Sequence, residues 1–235
     1  MYWVIIPAYN EEESLPLLLK ELFYLKNPPN KVIVVDNGSK DQTKYYAEKS
    51  GAIVLVEGIK GYGCACLKAL DFIKNQNSKP DIVLFMDADL SDDPSQIQEL
   101  VDPIKNGLVE FTLGNRMTPL ADKDSLSAFQ ILGNKFACFL IRILFKNNFY
   151  DLGPFRAIRF TTLDSLQMKD SNYGWTVEMQ VKAVLKKVPY LEIPVRYRKR
   201  KFGKSKISRN FVAGFRAGIK IIATIVLLKL FGNSD

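Results

Sequence analysis

The stretch VLFMDADLSDDPSQIQEL, Val83 to Leu100, decides how the chain is read. Its first half is a greasy run of the kind that fills a buried strand, and it breaks off into Asp87, Asp89, Asp92 and Asp93. Aspartate is disfavoured inside strands and favoured at helix starts, so strand, turn and helix follow in that order, the helix opening near Asp92 or Asp93 before Pro94. Asp87 and Asp89 flank one residue, Ala88, at the strand terminus. There, two hard oxygen donors can be brought near one Mg²⁺ or Mn²⁺ whose other positions are filled by water and phosphate oxygens. The alternative is that the pair only ends the strand.

The same punctuation recurs on either side. Tyr2 to Ile6 is an apolar run ending in PAYNEEES, after which Leu15 to Leu25 repeats apolar residues at helical spacing. Lys31 to Val35 is rich in β-branched residues and ends in DNGSKDQT, whose Asn-Gly and Asp form turns, before a polar helix to about Ser50. Ala52 to Val56, the glycine-bearing loop EGIKGYG and a helix over Ala65 to Ile73 complete a third unit, and Asp81 to Met86 is the fourth strand. Short buried strands alternating with helices predict an α/β fold with a mainly parallel central sheet flanked by helices. Ligands of such sheets collect at the carboxyl ends of the strands, where PAYNE, DNGS, KGYG and DAD all lie. Beyond Val109 to Leu113 come GNRM, an apolar helical stretch from Phe129 to Phe145, DLGPFRAIRF, a helix over GWTVEMQVKAVLKK, and a strand running into the basic loop RYRKRKFGKSK.

Composition narrows the chemistry. Lys and Arg number 33 against 25 Asp and Glu, a net +8 that suits nucleotides, phospholipid surfaces or other polyanions. No nucleic-acid recognition motif is visible, and none is expected as a partner. The chain of 235 residues has no histidine, which excludes an imidazole-built zinc site and a Ser-His-Asp triad. Cys64, Cys66 and Cys138 have no zinc-type spacing and read as reduced thiols in a cytosolic setting. MYWVIIPAYN lacks a basic n-region, so no signal peptide is expected.

Taken in order, PAYNE, VVDNGSKDQT, KGYGCA, FMDADLS, GNRM and FGKSK resemble the motif series of family-two glycosyltransferases. Within that family they are similar to polyprenol-phosphate sugar synthases of the dolichyl-phosphate mannose synthase kind, and the likeness runs over roughly residues 2 to 206. It implies a GT-A type nucleotide-sugar-binding fold and a UDP- or GDP-sugar donor. Pro7, Tyr9 and Glu11 match positions lining the nucleoside pocket, and Gly61 lies in the glycine loop beside it. Asp36 matches the first of an acidic pair that holds base and ribose, while the second acid is here Asn37, which donates as well as accepts. Asp87 and Asp89 match the metal motif, with Ser91 where relatives can carry a third ligand. Arg116 matches an acceptor-phosphate arginine, and Arg200, Ser205 and Lys206 match the R-x-x-G-x-S-K pattern that closes over the diphosphate and acceptor phosphate. DLGPFR is one residue shorter than the usual D-x-x-S-G-F-R around Asp151 and Arg156.

A lipid-phosphate acceptor is already largely ionised near neutral pH, since a phosphate monoester has its second pKa around 6, and it needs no strong general base. Catalysis then consists of positioning and charge stabilisation, with inversion at the anomeric carbon. A hydroxyl acceptor would need a base, for which Glu178 is the first candidate. A third possibility is a nucleotide-sugar or anionic-lipid binding protein without turnover.

The chain divides by composition into a glycosyltransferase-like domain, 1–206, and a tail, 207–235. Arg216 and Lys220 argue against a simple membrane span in the tail, leaving a helix lying in the interface of a membrane's cytosolic face, or one packed on the domain or on a second subunit.

Overall fold

The computed structural model describes residues 1–203 and 211–232. Seven strands form one sheet in the order β3-β2-β1-β4-β6-β5-β7. They are β1 (Tyr2–Ala8), β2 (Lys31–Asp36), β3 (Ile53–Val56), β4 (Ile82–Phe85), β5 (Phe111–Asn115), β6 (Arg156–Arg159) and β7 (Tyr190–Pro194). Only β6 runs antiparallel, against both β4 and β5; every other pairing is parallel. The helices are α1 (Leu15–Phe23), α2 (Thr43–Lys49), α3 (Tyr62–Lys74), α4 (Ile97–Lys105), α5 (Ala128–Phe145), α6 (Phe160–Ser165), α7 (Trp175–Leu185) and α8 (Phe211–Phe231). The mainly parallel sheet expected from the alternating pattern is present, with helices on both faces.

Strand alternation sorts the core into two layers. Trp3, Ile5, Ile33, Val35, Val83 and Phe85 point to one face, where side chains of α3, α5, α7 and α8 pack. Tyr2, Val4, Ile6, Val32, Val34 and Leu84 point to the other, covered by α1 and α4. In α1 the buried residues Leu15, Leu18, Leu19 and Leu22 recur at helical spacing, and in α4 Ile97, Leu100, Val101 and Ile104 do the same. Burial on both faces explains why β1 and β4 read as unbroken apolar runs.

The expected boundary between domain and tail falls at 206/207, outside the described residues. The helix beyond it joins the domain: Ala217, Thr224 and Ile225 of α8 are buried, and Ile225 belongs to the same core as Trp175 and Val181 of α7. Lys220, one of the two charges that argue against a membrane span, pairs with Asp170 at 2.7 Å.

Candidate active site

The strand ends deliver the motif loops to one edge of the sheet. Ala8 of β1 lies in register with Asp36 of β2, and the Asn37 amide donates to the Ala8 carbonyl at 2.9 Å. Side chains then stitch the loops. Asn10 N–H donates to Ser39 Oγ at 2.9 Å, Lys40 N–H to Asn10 Oδ1 at 2.8 Å, and Glu11 N–H to Thr43 Oγ1 at 2.8 Å. The PAYNE loop holding Pro7, Tyr9 and Glu11 and the loop after Asp36 therefore form one rigid wall.

Asn37 spends its side chain on the next loop. Its Nδ2 donates to the carbonyls of Glu57 at 3.1 Å and Ile59 at 2.7 Å, while its Oδ1 accepts from Gly61 N–H at 2.8 Å. Lys60 consequently sits 5.1 Å from the ring centre of Tyr9. Behind the glycine loop, a side chain at Gly63 would run into the backbone of Asp170 and Ser171, so KGYG can pack there only as glycine.

The acidic turn after β4 separates its four aspartates. Asp93 does what a helix start requires, its Oδ1 accepting from Ser95 N–H at 3.0 Å at the head of a single 3-10 turn, Pro94–Gln96. Asp92 does not cap anything. It is fully buried, its Oδ2 accepts from the backbone N–H of Asp87 at 3.1 Å, and its Oδ1 is buried without a hydrogen-bond partner. Burial, with the charge of Asp89, pushes Asp92 up to about 7, although the Asp87 N–H opposes the shift. Asp87, at the mouth of the turn, is also raised, by burial and then by Asp89 and Asp92. Ser91 is buried here too, and its N–H donates to Asp89 Oδ1 at 3.0 Å.

Two arginines balance this charge. An isolated antiparallel bridge between Asp92 and Tyr197 zips the basic loop onto the acidic turn, and Arg198 N–H donates to the Ser91 carbonyl at 2.7 Å. Arg200 is thereby set between two motifs, with Nη2 2.8 Å from Asp89 Oδ2 and Nη1 3.1 Å from Glu11 Oε1. Burial lowers its proton affinity, but Asp89 and Glu11 outweigh that and the net shift is upward. Arg116 is gripped by Asp151 through Nε and Nη2, both at 2.8 Å, and its guanidinium lies 4.9 Å from the Tyr197 ring centre.

Arg156 is buried beneath the site, donating to the carbonyls of Gly153 and Thr176. Burial pulls it down to about 10.

The structure thus gathers Glu11, Asp87, Asp89, Ser91, Arg116 and Arg200 at the carboxyl edge of the sheet, with Pro7, Tyr9, Asp36, Asn37 and Gly61 in the loops beside them. Glu178 is engaged elsewhere: its carboxylate accepts from Lys169 N–H at 2.9 Å and Asp170 N–H at 2.7 Å and pairs with Lys182 at 2.8 Å. Ser205 and Lys206 lie outside the described residues. Asp92 and Tyr197 escaped the sequence reading, which gave Asp92 the capping role that Asp93 holds alone and saw Tyr197 only as part of a basic run.

A doubly flanked, mainly parallel sheet with an acidic turn and two arginines at its carboxyl edge is the architecture expected of a GT-A type nucleotide-sugar-binding fold. The chain belongs to glycosyl transferase family 2, whose family model matches residues 3–166. An uncharacterized glycosyltransferase of Mycobacterium tuberculosis is 31% identical over 206 residues, covering 87% of this chain and 88% of that protein. The polyprenol monophosphomannose synthase of Mycolicibacterium smegmatis is 26% identical over 216 residues, covering 87% and 80%. Among solved structures, glucosyl-3-phosphoglycerate synthase from M. tuberculosis, crystallised with Mn²⁺, UDP and glucosyl-3-phosphoglycerate, superposes with a TM-score of 0.75 at 20% identity, covering 100% of this chain and 81% of that one. That likeness is one of fold.

Proposed function

We propose that the protein transfers a sugar, with inversion, from a nucleotide-diphosphate sugar to a polyprenyl phosphate at the cytosolic face of a membrane, and that it needs a divalent metal. One observation carries this reading: the crevice is built from carboxylates and arginines suited to cations and phosphates, while the acid first in line as a general base, Glu178, is tied to two backbone amides and a lysine.

Asp87, Asp89 and Ser91 fit a Mg²⁺ or Mn²⁺ ion. Their oxygens are hard donors, and the crowding of Asp87, Asp89 and Asp92, with Asp92 Oδ1 left without a hydrogen-bond partner, favours added positive charge. Such an ion would offset the charge that builds on the departing diphosphate. The chain's own contribution is placement. Asp36 and the PAYNE loop hold the nucleoside, Gly61 and Lys60 approach the diphosphate, and Arg200, with Lys206, exchanges carboxylate for phosphate oxygens as the donor binds. Arg116, held rigid by Asp151, orients the acceptor phosphate so that its ionised oxygen attacks the anomeric carbon in line. The dolichyl or undecaprenyl phosphate acceptor is supported by the mycobacterial polyprenol monophosphomannose synthase. A divalent metal and a UDP-sugar are supported by the Mn²⁺ and UDP bound to the glucosyl-3-phosphoglycerate synthase.

The test is a screen of UDP- and GDP-sugars with Mg²⁺ or Mn²⁺ and either polyprenyl phosphate, read as radiolabelled lipid. Asp89→Ala should abolish metal-dependent transfer while the protein stays folded. Transfer only to soluble hydroxyl acceptors, or unchanged turnover by Asp89→Ala, would overturn the reading.

A further inference from the structure

Helix α5 is inside out for a soluble protein. Its buried side, Ala137, Cys138 and Ile141, belongs to the core shared by the sheet, α7 and α8. Leu132, Phe136, Phe139 and Ile143, spaced so that they share the opposite face, are 48–68% exposed. Lys135 and Arg142 are exposed along the same helix. Among the described residues α5 is the one helix long and apolar enough to cross a membrane, with a mean hydropathy of 1.5, yet its packing in that core fixes it to the domain.

The stripe continues onto α8, which packs beside α5: Lys229 lies 5.5 Å from the ring centre of Phe145, and Ile219, Val226 and Leu230 are exposed along one side. Neither 128–146 nor 211–231 contains an Asp or Glu, while Lys135, Arg142, Lys146, Arg216 and Lys229 are cationic; Lys220 is spent on Asp170. Apolar side chains outward, with cations as the only charges, complement an anionic bilayer surface. Pairing two copies through this face would set like charges against each other.

We propose that α5 and α8 together form the face that docks on an anionic phospholipid bilayer. This deepens the lipid-acceptor reading and rests on it for its purpose. The same helix reaches the active site: Asn134 of α5 donates from Nδ2 to the Tyr150 carbonyl and accepts from Leu152 N–H, both at 2.9 Å. It thereby clamps both sides of Asp151, the residue that grips Arg116. A bilayer seated on α5 is thus coupled through one side chain to the loop that sets the acceptor-phosphate arginine.

The experiment uses the full chain and vesicles of phosphatidylcholine with or without phosphatidylglycerol. Replacing Leu132, Phe136, Phe139 and Ile143 together by serine should weaken co-sedimentation with either vesicle by more than about tenfold. Lys135→Gln with Arg142→Gln should weaken it roughly fivefold for each charge removed, and on the anionic vesicle alone. Circular dichroism should show both variants folded at the assay temperature, since each of the four apolar side chains keeps about half or more of its surface in solvent and the two cations are exposed. Transfer to a long-chain polyprenyl phosphate in vesicles should fall in parallel, while transfer to a short, water-soluble prenyl phosphate holds. Wild-type-like vesicle binding by the serine variant overturns the proposal. So does a variant that turns from dimer to monomer in sedimentation equilibrium with vesicle binding unchanged, which would make the face an interface between copies. Stripe-dependent vesicle binding without transfer to any prenyl phosphate would uphold docking and overturn the lipid-acceptor reading instead.

Discussion

Asn37→Asp restores the acidic pair of the family pattern, and the structure says that it should damage the site. The asparagine donates two hydrogen bonds, to the carbonyls of Glu57 and Ile59 at 3.1 and 2.7 Å, and accepts one from Gly61 at 2.8 Å. A carboxylate keeps the third and turns an oxygen toward both carbonyls. Losing two bonds at about 1 kcal/mol each, with the added repulsion, amounts to roughly 2–4 kcal/mol. At about 2–4 °C per kcal/mol for a chain of this size, the melting temperature should drop by about 4–16 °C. The pH dependence has a definite sign. A carboxyl buried against two carbonyls has its folded pKa raised above the unfolded value of ~3.9, because its protonated form regains one donor. The destabilisation is therefore complete above the folded pKa and shrinks as pH falls toward the unfolded one. Thermal unfolding of wild type and variant across mildly acidic to mildly basic pH measures this, and calorimetric titration with nucleoside diphosphate reads the consequence. If about 2 kcal/mol of loop order must be restored on binding, donor affinity falls roughly 30-fold. A variant with wild-type stability and donor affinity at basic pH would show that the 57–61 loop is held by other contacts and that Asn37 is available to the base.

Asp92 gives a second pH test. Because its folded pKa of about 7 lies above the unfolded value, its charged form costs stability that is fully felt above about 7 and vanishes as pH falls toward the unfolded pKa. Asp92→Asn keeps an acceptor for the Asp87 N–H, so in chelator the variant should melt at least about 4 °C above wild type at basic pH and alongside it in acid; earlier melting at basic pH would refute the assignment. Glu178→Gln separates structure from catalysis. It should cost about 2–3 kcal/mol in unfolding experiments through the buried amide contacts, yet leave kcat/KM of the folded enzyme within about threefold, whereas loss of a general base would cost at least about 10²-fold.

The strands and the four crevice loops were legible because strand ends and loop chemistry coincide. Val83 to Phe85 could only be a buried run, and the loops that follow β1, β2, β3 and β4 each carry Asn, Asp or Gly, the residues that form turns. The antiparallel β6 was not legible, since RAIR is four residues long and the first of its two arginines, Arg156, is buried by contacts to Gly153 and Thr176 that no local pattern announces. Asp92 and Asp93 are indistinguishable as neighbours in sequence. They part because the turn buries one under Asp87 and leaves the other to Ser95, and the bridge from Asp92 to Tyr197 spans more than a hundred residues. The outward stripe of α5 was hidden by its own composition. A run apolar on both sides reads as core, and only the burial of Ala137 and Ile141 shows which side meets the core.

The two arginines of the crevice are held in different ways, and the difference assigns them different parts in turnover. Asp151 grips Arg116 along one edge of its fork and is itself fixed, its carbonyl accepting from Gln180 at 3.0 Å and its flanks clamped by Asn134. Such an arginine is preorganised and can meet an incoming phosphate without giving up a partner. Arg200 bridges Asp89 and Glu11, using Nε, Nη1 and Nη2, and can serve the donor only by leaving them. Under the proposed function, a divalent ion held by Asp87, Asp89 and Ser91 would supply positive charge beside Asp89, which would leave Arg200 free to turn toward the diphosphate of the donor. In that reading donor and metal affinities would be linked through one guanidinium, so that removing Glu11 or Asp89 would change both.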